Sequence, residues 1–126
     1  MEQLLAHVFG DYVLQSDWLA LGKRKSFVVA LIHALVYGVP FLLLRGSGLA
    51  WLVIVVSHAV IDHTGLARYV CFAKNFLAPP SEWPRWKDTN ATGYDKSKPV
   101  WMSTWLFIIA DNALHLAINY AALRWL

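Results

Sequence analysis

Apolar positions run along this chain in four long blocks, about residues 2–22, 26–44, 49–77 and 100–126, separated by short polar turns and one polar loop at 78–99. In the first block His7, Asp11, Gln15 and Trp18 fall on one stripe at helical spacing, with Leu4, Leu5, Val8, Tyr12 and Leu19 around them. That pattern predicts a helix with one polar face. The second block, from Ser26 to Leu44, is apolar or small throughout, with His33 its only ionisable group besides Tyr37. Its length matches the roughly 20 residues that cross a hydrocarbon core. Ser26 is the expected N-cap, Pro40 an expected kink and Arg45-Gly46-Ser47-Gly48 a polar turn. The third block runs from Leu49 through His58 and Asp62-His63, past Gly65 toward Leu77, where Pro79-Pro80 ends it. The fourth carries Asp111, Asn112, His115 and Asn119 between apolar neighbours. The fold class expected is all-α, a four-helix integral membrane bundle forming a single domain over residues 1–126.

Composition sharpens the choice of solvent. Hydrophobic residues make up 58% of the chain, and the mean hydropathy of +0.45 exceeds that of ordinary soluble domains, which are about 45–50% apolar. A bilayer, with lipids as partners, is the expected environment. The net charge of +3 does not point to nucleic acid, because Lys23-Arg24-Lys25 and Arg85, Lys87, Lys96 and Lys98 flank apolar spans and form no continuous basic surface. Basic residues favour the cytoplasmic side. Both clusters are then inside, the 78–99 loop is cytoplasmic, and both termini lie outside a bacterial inner membrane. Trp83, Trp86 and Tyr94 suit the headgroup level, and the Asn90-Ala91-Thr92 glycosylation pattern is discounted in a cytoplasmic loop. The N-terminus has no basic n-region, so the first segment is expected to be retained. Cys71, the one cysteine, excludes an internal disulfide and a multi-thiolate zinc site.

One spacing recurs inside the apolar blocks. His7-Val8-Phe9-Gly10-Asp11 and His58-Ala59-Val60-Ile61-Asp62 read His-x-x-x-Asp, whereas Asp111-Asn112-Ala113-Leu114-His115 reads the reverse. On a helix, residues four apart share a face about 6 Å apart along the axis. The inferred topology runs the fourth helix opposite to the first and third, so the reversed order puts all three histidines on the outer side and the aspartates beneath them. His7, Asp11, His58, Asp62, Asp111 and His115 are therefore the expected ligands of one shared centre, with His33 adjacent. Gln15 and Asn119 are their expected supporting partners. Asp17 and His63 approach the cytoplasmic end and are weaker candidates.

Imidazole and carboxylate donors suit zinc, manganese or iron, and six of them allow a dinuclear centre. Such a metal can activate water, with Asp11, Asp62 or Asp111 as proton acceptor. The expected function is a metal-dependent hydrolase acting on a lipid or lipid-linked substrate. Two alternatives stay open: a proton or metal-ion transporter or channel, for which four helices need to form a homo-oligomer, and a non-enzymatic phage membrane factor that binds a host membrane protein. The simplest structural reading is that the same side chains only make interhelical hydrogen bonds and ion pairs.

His7 to Trp18, His58 to Asp62, Thr92-Gly93-Tyr94 and Asp111 to His115 together resemble an uncharacterised family of small bacterial and phage membrane proteins, a domain of unknown function, over nearly the whole chain. More distantly, the intramembrane His/Asp pattern is similar to membrane-bound metal-dependent hydrolases. The first resemblance implies a bacterial inner membrane and no particular activity. The second implies only a reaction class.

Overall fold

The computed structural model describes residues 1–126, and it is all-α, with six α-helices and no strands. The expected four blocks are recognisable, but local chemistry breaks two of them. The first block opens with α1 (Glu2–Val8), whose Glu2 favours the positive end of the helix dipole. The chain then widens into a π-helical turn over Phe9–Val13, closed by Leu14 N–H donating to the Phe9 carbonyl five residues back at 2.9 Å. Ser16 restarts the helix. Its backbone is extended and its Oγ accepts from Leu19 N at 3.3 Å, an N-cap that opens α2 (Asp17–Gly22).

α3 (Phe27–Gly38) follows the basic turn. Ser26 occupies the N-cap position as expected, but its side chain makes no capping bond. Pro40 does not kink a continuing helix. It ends the α-helical ladder, which tightens into a 3₁₀ turn over Pro40–Leu43. Ser47 Oγ then accepts from Ala50 N at 3.0 Å and starts α4 (Gly48–Thr64). The third block breaks at Gly65, whose left-handed φ of 63° separates α4 from α5 (Leu66–Lys74). The polar stretch after α5 holds short 3₁₀ turns at Asn75–Leu77, Pro80–Glu82 and Trp86–Asp88. The fourth block forms one unbroken helix, α6 (Val100–Trp125).

The chain divides into two compact units, Met1–Thr64 with His115–Leu126, and Gly65–Leu114. In the first, α3 and α4 approach closely because Ala30, Ala34 and Gly38 form a small-residue row four apart, each buried. A Cβ at Gly38 would lie 2.6 Å from Val55 Cγ2, and the Gly38 carbonyl accepts from Trp51 Nε1 at 2.8 Å. Ala6, Tyr37, Phe41, Ala50, Ile54 and Ala122 pack into one apolar cluster above this row.

The second unit has its own aromatic centre. Trp86 stacks on Tyr69 at 5.2 Å and lies under the Arg68 guanidinium at 4.3 Å, while Phe72 meets it edge-on and Phe76 makes edge contacts with Phe72 and Trp83. Tyr94, expected at a headgroup level, is buried instead. Asn90 is committed to a turn in which its Oδ1 accepts from Thr92 N at 2.8 Å.

Of the four expected spans, α6 alone is a single helix long and apolar enough to cross a membrane. The stretches Gly48–Thr64 and Leu66–Leu77 meet that condition only when taken together as a broken span, and Phe27–Leu43 is apolar but shorter. Ser16 and Gly65 account for the shortfall in the first and third blocks, since each divides a block that is continuous by hydropathy.

Candidate metal centre

Three elements of the first unit aim four ligand-type side chains at one point. The π-helical turn supplies Asp11, α3 supplies His33, and α4 supplies His58 and Asp62, one turn apart on the same face. All four are at most 5% exposed. His33 Nε2 lies 3.2 Å from both Asp11 Oδ1 and Asp62 Oδ2, and 3.0 Å from His58 Nε2. His58 Nε2 is 3.1 Å from Asp62 Oδ2 and 3.8 Å from Asp11 Oδ1. Ligands bound tetrahedrally at zinc distances stand about 3.3–3.4 Å from one another. The separations of 3.0 to 3.8 Å bracket that value. These four residues can hold a metal ion.

Hydrogen bonds link His33 Nε2 to Asp11 Oδ1 at 3.2 Å and to His58 Nε2 at 3.0 Å, but they do not satisfy every polar atom of the cluster. Asp62 Oδ2 has charged or imidazole neighbours on three sides, yet none meets it in hydrogen-bond geometry. The Nδ1 atoms of His33 and His58 make no hydrogen bond, so these rings are held by their Nε2 contacts and by packing. The Tyr37 ring stacks on His58 with centroids 3.7 Å apart and planes 16° from parallel.

The family described as Protein of unknown function (DUF3307) matches residues 1–124. The chain belongs to this family. No curated protein and no solved structure matches it.

Within this DUF3307 chain, the sequence-predicted residues separate into groups. Asp11, His58 and Asp62 meet as expected, and His33 is central where adjacency was expected. His115 borders the tetrad, with Nε2 3.6 Å from Asp62 Oδ1 and its ring 4.1 Å from that of His58. His7 belongs to a neighbouring network: Tyr37 Oη accepts from Asn119 Nδ2 at 2.6 Å and shares a hydrogen bond with His7 Nδ1 at 2.9 Å. Asn119 therefore supports the centre through the tyrosine that stacks on His58. Gln15 Nε2 donates to the Asp11 carbonyl at 3.0 Å, bracing that residue's backbone. Asp111 lies one turn before His115 on α6, half-buried in the second unit. Asp17 is exposed and donates nothing to the tetrad: its Oδ1 accepts from Trp18 N at 2.8 Å.

Two contributors escape sequence reasoning. Tyr37 had a usable signal, since it stands four residues after His33 in an otherwise apolar block. Lys23 had none, because it belongs to a basic triplet of the kind that flanks a span. Its Nζ nevertheless lies 3.0 Å from Asp62 Oδ2 and 3.7 Å from Asp11 Oδ1.

Proposed function

We propose that this protein is a bilayer-embedded, metal-dependent hydrolase whose centre is Asp11, His33, His58 and Asp62. The observation that carries the proposal is the convergence of two imidazole nitrogens and two carboxylate oxygens within 4.8 Å of one another in a buried site. The nitrogen and oxygen donor set suits zinc, manganese or iron.

The distribution of side chains favours lipid as the surrounding medium. In the first unit His7, Asp11, His33, His58, Asp62 and His115 are buried, while Leu4, Val8, Phe9, Val28, Leu52 and Val56 are exposed. Soluble monomers seldom expose apolar surface on this scale, and ionisable residues within a membrane characteristically face the protein interior. A substrate reaching such a centre is a lipid or lipid-linked ester, with a phosphate ester the best fit to a cation.

An ion of this kind supplies water activation and polarisation of the scissile group. The chain's own residues divide the remaining tasks. His33, His58 and Asp62 are mutually 3.0 to 3.2 Å apart and form the tighter set of ligands. Asp11 stands farther from His58 and is the proton acceptor. The test is metal analysis of the purified full chain beside His33→Ala and Asp62→Asn, paired with hydrolysis of a lipid-linked phosphate ester in mixed micelles. Metal in the wild type alone, with turnover that follows it, is the expected result. A wild-type protein that stays metal-free after incubation with zinc, manganese and iron refutes the proposal.

A second reading has its own observation. Buried imidazoles continue from the tetrad through His58, His115 and His7, with ring centroids 4.1 Å and 5.9 Å apart. A row of this kind suits proton or metal-ion passage. Flux into proteoliposomes that persists without hydrolysis favours transport.

A further inference from the structure

Lys23 ends α2, and its aliphatic stem carries the ammonium from an exposed turn into the centre. Arg24 and Lys25, beside it, are exposed, while the Lys23 side chain retains 16% of its accessible surface. The backbone of this turn is tied down, because His63 Nδ1 donates to the Lys23 carbonyl at 3.1 Å. Asp62, next to His63 on α4, receives the ammonium at 3.0 Å. Backbone and side chain of one residue thus meet two successive residues of α4. Only the side chain is free to leave, and a lysine stem has the rotatable bonds to do so.

The ammonium rests on the two carboxylate oxygens that a metal requires. Its contact with Asp62 Oδ2 is ionic without hydrogen-bond geometry, so departure breaks no aligned bond there. Both cations cannot remain: a divalent ion and an ammonium on two carboxylates leave one positive charge in excess inside a buried site, which is costly. We propose that Lys23 is a resident competitor for the metal, resting on Asp11 and Asp62 in its absence and swinging to the aqueous edge when a divalent cation loads. The lysine then sets the affinity of the centre and releases a cation beside it for an anionic substrate group. This inference rests on the metal-centre reading above.

The test is zinc titration of the full chain in detergent or nanodiscs, comparing wild type with Lys23→Met, which keeps most of the stem and removes the charge. Removing the competitor should tighten zinc binding by about tenfold or more, since one ionic contact worth about 1.4 kcal/mol corresponds to that factor. Equal or weaker binding in the variant overturns the competition while leaving the metal centre standing. Binding by neither protein removes the centre itself. A measurement on the wild type needs no substitution: reductive methylation of Lys23, followed by mass spectrometry with Lys25 as internal control, should rise several-fold when zinc is added. Unchanged labelling of Lys23 in a protein shown to have bound zinc also overturns the proposal.

Discussion

His33 Nε2 and His58 Nε2 face each other across 3.0 Å, each also within 3.2 Å of an Asp62 carboxylate oxygen. Two imidazole nitrogens directed at one point from different helices cannot both present a proton there, so at least one offers a lone pair to the space between them. One ring therefore donates to the other, and that shared contact is part of the cluster that could hold a metal ion.

From this relationship, His33→Ala should abolish metal binding as completely as His58→Ala does, whereas His7→Ala should retain it because His7 bonds to Tyr37. Metal content per chain in the three purified variants checks the order. Chelation should correspondingly lower the thermal midpoint of the wild type and leave that of His33→Ala unchanged, since binding to the folded state stabilises it. Metal loss in His7→Ala equal to that in His33→Ala contradicts this division.

Tyr37 has two separable roles. Tyr37→Phe removes the acceptor of the Asn119 amide and should cost about 1–3 kcal/mol of stability, yet the ring stacked on His58 remains and metal stoichiometry should hold. Tyr37→Ala should lose both stability and metal. Thermal unfolding alongside metal analysis separates the two effects.

Gly10 lies where the π-helical turn crosses α3. A Cβ there would stand 2.7 Å from both the Tyr37 ring and its carbonyl oxygen, and the backbone cannot give way as a side-chain tip can. Gly10→Ala should destabilise by about 1–3 kcal/mol, as overpacking does, and should displace Asp11 in the next position. Weakened metal binding beside a lowered thermal midpoint is the expected pair of results.

In the second unit, Gly93 adopts φ +85°, and a Cβ would collide with the Arg68 carbonyl oxygen and lie 3.1 Å from Phe72 N. Gly93→Ala should therefore loosen the loop that packs on α5. Hydrogen exchange should rise at residues 89–95 while the amides of α3 and α4 keep their protection.

Helical class and the inward-facing histidines and aspartates were legible in the sequence because periodicity and the cost of stranding such groups in an apolar block are local properties. The His58/Asp62 pair behaves as its spacing predicts, with 3.1 Å between His58 Nε2 and Asp62 Oδ2. The His7/Asp11 pair has the same spacing and does not. The π-helical turn adds a residue to the rotation between them, sending His7 to Tyr37 and Asp11 to His33. The breaks at Ser16 and Gly65 were likewise masked by hydropathy that continues across them.

The sequence alone determined that this chain is helical, that its polar groups recur at one helical spacing, and that those groups suit a metal. Which of them meet was decided only by the tertiary structure. Spacing along one helix places side chains on a face of that helix, but the distance between faces depends on helix rotation and on how closely neighbours approach. Here the small row Ala30, Ala34 and Gly38 brings α3 against α4, placing His33 at the middle of the cluster, and a turn after α2 delivers Lys23 to the same carboxylates.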